Sequence, residues 1–276
     1  MARKNTISSD RGRQRALAIV IVMAAIAVAL LSYGLFKLHE LWLEQCVVTD
    51  VGRQVEVDDG KMIKGGLIIS CFRITNGVNL AKLDYDRLRA DTLRKFPQLR
   101  SITVRRRLPD GLKISIEERE PLVRLGISGK REPTGRVADS DGIVFRRSNG
   151  VGALPLIREP SASTTAPGRS LGDRGRAAMR LIEALQTPDF SDLGILEADI
   201  SVRDFITVTF TDYARAKIAW DGMDTDSPAS RANMQRQLRH LRDAIRSRVG
   251  AGATMWNATD TSVPGRIFTE RKGASL

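Results

Sequence analysis

Residues 16–36 form one apolar block without a single charge. At about 1.5 Å per residue the block makes roughly 30 Å of helix, enough to cross the hydrocarbon core of a bilayer. Beyond it the pattern shortens and begins to alternate. Residues 47–57 (VVTDVGRQVEV) are apolar at alternate positions for part of their length and predict a strand ending at Asp58-Asp59-Gly60. Residues 61–72 predict a short helix, and Asn76-Gly77 a break. Asp84 then opens a second helix that ends near Phe96-Pro97. Its side chain can cap, Leu83 and Leu88 stand at the spacing of a hydrophobic staple, and Tyr85, Leu88, Thr92, Leu93 and Phe96 share one face.

Strict alternation follows. Ile102, Val104, Arg106 and Leu108 alternate with Thr103, Arg105 and Arg107; after Pro109-Asp110-Gly111, Leu112, Ile114 and Ile116 alternate with Lys113, Ser115 and Glu117. Proline presets its own φ and glycine accepts a positive one, so the residues between the two runs predict a hairpin turn. One face of this hairpin is aliphatic enough to cover the two helices, and Arg105, Arg107, Lys113 and Glu117 fall on the other. Arg106 breaks the inward alternation and is expected to snorkel at the end of the sheet. Strand, helix, helix, strand, strand in so short a span makes a compact α+β module with the arginines as its solvated face.

A second region covers residues 122–272. Residues 136–147 predict strand, Asp-Gly turn and strand; 153–157 (ALPLI) extend it, and 160–169 are a small, polar, proline-containing loop. Residues 173–186 predict a helix, followed by strands near 195–200, 205–210 and 214–220. Ser227-Pro228 joins a cap to a first-turn proline and starts another helix. Met234, Leu238, Leu241 and Ile245 lie on one of its faces, with Arg231, Arg236, Arg239, Arg242, Arg246 and Arg248 on the other. That basic face is either solvated surface or a patch for an acidic partner or lipid headgroups. Two short strands around a Pro-Gly turn, 254–259 and 265–271, close the region.

The formal charge of +12 matters through its placement. Arg3, Lys4, Arg11, Arg13 and Arg15 against Asp10 put +4 ahead of the apolar block, whereas Lys37, His39, Glu40 and Glu44 mix signs behind it. The positive-inside rule therefore puts the N-terminus in the cytoplasm and everything after about residue 38 outside. Ala25-Ile26-Ala27 is an acceptable cleavage site for a signal peptide, but an apolar run longer than the usual ~7–15 residues favours an uncleaved anchor. With 42% hydrophobic and 28% charged residues the rest is ordinary globular material, so disorder is not expected. Cys46 and Cys71 both fall where a disulfide is permitted; two separate thiols are the other reading.

Catalysis needs convergent groups, and few are on offer. His39 sits at the membrane edge and His240 on the arginine-rich helix, neither with a metal-spaced partner, so no zinc site or Ser-His-Asp triad is expected. No glycine-rich phosphate loop is present. Asp139 and Asp141 before Gly142 lack the later ligands of a calcium loop and predict a turn. Glu117, Glu118 and Glu120 read as solubility at a strand end. No aromatic residue is interleaved with the three arginines, which removes a base-stacking platform. The expectation is no enzyme, no cofactor, no metal, no nucleic acid and no small-molecule substrate.

Residues 76–125 (NGVNLAKLDYDRLRADTLRKFPQLRSITVRRRLPDGLKISIEEREPLVRL) resemble the FtsQ/DivIB family of bacterial division proteins. Gly77, Leu80, Pro97, Val104, Arg107, Pro109, Leu112, Ile114, Glu118, Arg119 and Pro121 fall where that family's POTRA module has such residues; 137–145 (VADSDGIVF) and 154–157 (LPLI) add to the likeness. The resemblance implies an α+β chain: a cytoplasmic tail (1–15), one transmembrane helix (16–38), a POTRA-type β-α-α-β-β domain (47–121) and a β-rich domain with flanking helices (122–272). It implies a non-enzymatic scaffold of the inner membrane at the division septum. Such a scaffold links early cytoplasmic division proteins to septal peptidoglycan synthesis, its synthases included, through FtsB/FtsL-like bitopic partners. POTRA modules also occur in envelope proteins for polypeptide translocation or outer-membrane assembly, usually in tandem and with a barrel, and that is the competing class.

Within this frame the terminal strand of Arg266, Ile267, Phe268, Thr269, Glu270 and Arg271 is the expected partner-binding site. Left at a sheet edge, it has unpaired backbone groups that can take up a partner strand. Arg266 and Arg271 would attract acidic side chains, and Phe268 or Ile267 could anchor. The bland alternative is a strand that is paired internally and merely finishes the fold.

Overall fold

The computed structural model describes residues 7–107, 110–131, 133–147, 149–160, 165–247, 253–262 and 266–270, the side chains of 7–16 and 270 excepted. Pro109 of the hairpin turn, Pro264-Gly265, Arg248 and Arg271 lie outside the described residues. The chain divides into two compact units, one of residues 1–92 with 102–116 and one of residues 93–101 with 117–276. The architecture is α+β: an apolar N-terminal helix, a small α/β module and a β-rich region with helices.

Helix α1 (Ile7–Gln45) does not stop where the apolar block does. Residues Leu17–Gln45 are long and apolar enough to cross a membrane, and none of that stretch's most apolar window is buried. The expected strand over 47–57 is only partly present. Val47 makes a single bridge to Asn79, Val51–Gln54 forms a helical turn (α2), and only Val55–Val57 is strand (β1). The cause is local side-chain competition for the backbone. Asp50 accepts from the Gly52 amide at 2.9 Å, and the Gln54 Oε1 accepts from the Thr49 and Asp50 amides at 2.7 and 2.8 Å, so the chain is turned before it can extend.

Helix α3 (Gly65–Phe72) begins later than expected because Gly65 packs against Val57 and donates its amide to Asp59 Oδ1 at 2.7 Å. Helix α4 (Tyr85–Lys95) starts as read, with the Arg87 amide 3.0 Å from Asp84 Oδ1. Thr92 is buried, and Tyr85, Leu88, Leu93 and Phe96 are half-buried on the predicted face. Strands β2 (Leu99–Arg107) and β3 (Gly111–Glu118) follow, and the sheet order is β1-β3-β2, with β1 parallel to β3. Ile102, Leu112 and Ile114 are buried from this sheet, as the alternation requires.

The second unit holds one nine-stranded sheet. Its strands are β4 (Val123–Ile127), β5 (Pro133–Ala138), β6 (Val144–Arg146), β7 (Leu156–Glu159), β8 (Ile195–Asp199), β9 (Ile206–Phe210), β10 (Arg215–Ile218), β11 (Met255–Ala258) and β12 (Phe268–Glu270). Their order is β12-β11-β10-β9-β8-β7-β4-β5-β6. Helix α5 (Asp173–Leu185) connects parallel β7 and β8, and α6 (Pro228–Arg246) connects parallel β10 and β11. Parallel neighbours need such a crossover, and each helix returns its apolar stripe to the sheet. Ala177, Leu181 and Ile182 of α5 and Met234, Leu238 and Leu241 of α6 join Ile157, Ala198, Val208, Ala216 and Trp256 in one core. Strand β4 was not read from the sequence as a strand; its half-exposed Arg124 and its Gly126 interrupt the apolar pattern.

Candidate functional site

Two of the three hairpin arginines, Arg106 and Arg107, are engaged within their own module, and Arg105 is exposed. Arg107 Nη1 lies 2.8 Å from Glu56 Oε2, and Lys113 Nζ is 2.8 Å from the other oxygen of the same carboxylate. The Lys113 hydrogen bond, with the Arg107 charge, holds the Glu56 carboxyl below the usual range. Arg106 is exposed and sets its guanidinium 4.8 Å over the Tyr85 ring, the snorkelling expected of it. Burial raises the Tyr85 phenol, whose hydroxyl donates to the Leu80 carbonyl at 2.7 Å.

Residues 53–119 match the family model of the FtsQ-type POTRA domain. The chain is FtsQ/DivIB-like. Its POTRA domain follows an apolar helix, the order of a bitopic protein. No curated protein matches the chain.

Beyond the POTRA domain, the two edges of the nine-stranded sheet differ. At one end β6 is shielded by the segment before α5: the Val144 amide donates to Arg169 O at 2.9 Å, the Gly168 amide donates to Val144 O at 2.7 Å, and Ile143 bridges to Ser170. At the other end β12 pairs antiparallel with β11, in the register Met255 to Glu270, Trp256 to Thr269 and Asn257 to Phe268. On its outer side β12 has no neighbouring strand among the described residues. An edge of this kind presents alternate N–H and C=O groups to any chain that lies alongside.

The predicted anchor pair separates here. Ile267 is half-buried and packs against the core, so it serves the fold. Phe268 is 52% exposed, and the Arg266 guanidinium lies 5.3 Å over its ring. Arg266 also stands 3.8 Å from Asp260 Oδ2, a loose contact that leaves the cation exposed. Thr269 is exposed, and Arg271 lies outside the described residues.

The basic face of α6 is partly consumed by local partners. Arg231 makes two bonds to Asp226 at 2.8 and 3.0 Å, Arg246 lies 2.7 Å from Asp192, and Arg242 donates to Asp189 O at 2.5 Å while lying over Phe190. Arg236 and Arg239 are exposed. Asp139, read as part of a turn, accepts the Ile143 amide at 2.9 Å and the Arg119 Nη1 at 2.5 Å, which uses both carboxylate oxygens. Cys46 and Cys71 are not joined by a disulfide. Among the described residues no group of three His, Cys, Asp or Glu could hold a metal ion.

Two structural features had no counterpart in the sequence reading. Arg136 and Glu159 are both buried and meet each other, and Arg119 reaches Asp139. The available signal was a charged residue next to apolar strand positions, but its partner cannot be chosen without the strand order.

Proposed function

We propose that this protein is a non-enzymatic bitopic scaffold of the bacterial division septum. It would link early cytoplasmic division proteins to septal peptidoglycan synthesis through FtsB/FtsL-like membrane partners. The observation that carries the partner site is the open outer side of β12 in a chain with an FtsQ-type POTRA domain. The opposite sheet edge is shielded, so among the described residues the place for strand addition on this sheet is the outer side of β12. Phe268 supplies an exposed aromatic anchor and Arg266 a cation for an acidic partner residue; the proposed site runs over 266–271.

In this reading residues 1–15 are a cytoplasmic tail, 16–38 the membrane span, 47–121 the POTRA domain and 122–272 the partner-binding domain. A fluorescent fusion ahead of residue 1 should give a septal band in dividing cells of the native organism, lost when 47–119 are removed. Uniform envelope signal with normal septation on depletion would reject the division role in favour of envelope transport. Proline placed in turn at Phe268 and Thr269 tests the edge itself, since successive N–H groups of a strand point to opposite sides and one of the two must face outward. Co-purification of the bitopic partners should fail for at least one variant with the fold retained by circular dichroism; capture by both at the original level would reject the edge as the site.

A further inference from the structure

The anchor helix does not hand over to the first domain through a flexible linker. Helix α1 continues from the end of the apolar block at Phe36 to Gln45, and the next residue, Cys46, is already buried core. Ten residues of helix at about 1.5 Å each give roughly 15 Å between the end of the block and that core residue. The junction is bonded on several sides. Asn79 Nδ2 donates to Leu43 O at 2.7 Å, the Leu80 amide to Cys46 O at 2.9 Å, the Val48 amide to Val78 O at 2.9 Å, and the Gly77 amide to Val48 O at 2.7 Å. The Cys46 thiol donates back to Trp42 O at 3.3 Å, and Val48 and Leu80, whose amides take part in these bonds, have buried side chains. Asn79 is held for the task, because its Oδ1 also accepts the Ala81 amide at 2.9 Å.

The stretch between membrane and domain is itself suited to be helical and wet. Lys37 and Glu40 form an exposed ion pair one turn apart at 2.8 Å, and His39 stacks with Trp42 at a centroid distance of 6.2 Å. Trp42 stands about 9 Å past Phe36 by helical rise, near the headgroup layer that favours tryptophan. Neither glycine nor proline occurs from Phe36 to Val48 to offer a hinge.

We propose that α1 is a rigid strut that fixes both the height and the rotational orientation of the POTRA domain with respect to the membrane. The domain then offers one face to neighbours in the membrane plane, at a height of roughly 15 Å above the hydrocarbon. The proposal rests on α1 being a membrane anchor, as the reading above requires.

The test uses the full chain in lipid nanodiscs, with spin labels carried on keto amino acids introduced at Leu30, in the apolar block, and Leu67, exposed on α3. The expected result is a single narrow distance distribution. It should broaden several-fold when Gly-Ser-Gly-Ser-Gly-Ser is inserted between Glu40 and Leu41, which leaves the bonded junction intact. A distribution in the uninserted chain as broad as in the inserted one overturns the strut, and so does an insertion that changes nothing. Release of the chain from membranes by alkaline wash would overturn the anchor and the strut together. A broad distribution in a chain that stays with the membrane removes the strut alone.

Discussion

Arg136 on β5 and Glu159 on β7 reach over the intervening strand β4, Nη2 to Oε2 at 3.3 Å, on the core side of the sheet. Both residues are buried. Thr165 joins them: its hydroxyl donates to Glu159 at 2.8 Å and its carbonyl accepts from Arg136 Nη1 at 2.5 Å. Arg136 Nε also donates to Thr134 Oγ1 at 2.9 Å, while Nη2 itself makes only the charge contact, without hydrogen-bond geometry. Removing one partner of such a pair leaves a buried charge alone, at a cost of about 3–5 kcal/mol. Arg136→Met and Glu159→Leu should each destabilise strongly in urea unfolding, and the double variant should lose less than the worse single. A single-variant loss under about 1 kcal/mol would mean that water reaches the pair.

The Glu56 cluster on the hairpin face should behave as an exposed network. Its folded-state carboxyl is held low by Lys113 and Arg107, so its stabilisation is present above the unfolded carboxyl value of about 4.3 and is lost as the pH falls through the lower folded value. Thermal melts of the wild type and Glu56→Gln should differ at pH 7, begin to approach each other as the pH falls past about 4.3, and converge only below the lowered folded value. The difference at pH 7 should also shrink in 1 M salt. A difference that persists in acid would point to lost packing instead.

Glu183 on α5 shows the opposite linkage. Its side chain is largely exposed, and partial desolvation of the carboxyl raises it against the pull of Arg231 and Arg180, so the ionised form is disfavoured only in part. The penalty is present above the raised folded value and absent below the unfolded value near 4.3. Glu183→Gln should therefore melt higher than the wild type at pH 7 and level with it below about pH 4. A lower melting temperature at pH 7 would show that its arginine neighbours outweigh the burial.

Neighbouring residues on the last strand should separate fold from binding. Phe268→Ala removes an exposed ring and should change stability by less than about 0.5 kcal/mol, the usual range for surface substitutions. Ile267→Ala removes a half-buried side chain packed on the core and should cost on the order of 1 kcal/mol. If Phe268 is the anchor, capture of the membrane partners by the intact chain should drop for Phe268→Ala at unchanged melting temperature. Equal capture would assign affinity to the backbone edge alone.

Much of this molecule is written in local pattern. An uncharged block of membrane-crossing length, Asp84 ahead of a staple pair, the alternating runs before and after Pro109-Asp110-Gly111 and Ser227-Pro228 before an apolar stripe each report a preference that acts over one element. All of these elements are present, and the resemblance carried by residues 76–125 is matched by the FtsQ-type POTRA model over 53–119. Where local signals competed, the sequence was misread. Residues 47–57 alternate like a strand, yet Asp50 and Gln54 bind their own backbone and leave only Val55–Val57 extended. Strand β4 was missed because Arg124 and Gly126 hide a segment that lies between two neighbours in the middle of the sheet.

The sequence by itself determined the apolar helix of membrane-crossing length, the module order and which faces are apolar, because hydrophobic burial and capping act between residues a few positions apart. Only the tertiary structure decided that Arg136 meets Glu159, that β6 is shielded while β12 has no outer neighbour among the described residues, and that α1 runs on to Gln45 and a bonded joint at Cys46. Those facts depend on strand order and on contacts between residues such as Leu43 and Asn79. Residues that far apart in the chain share no periodicity, so only the folded chain shows which of them meet.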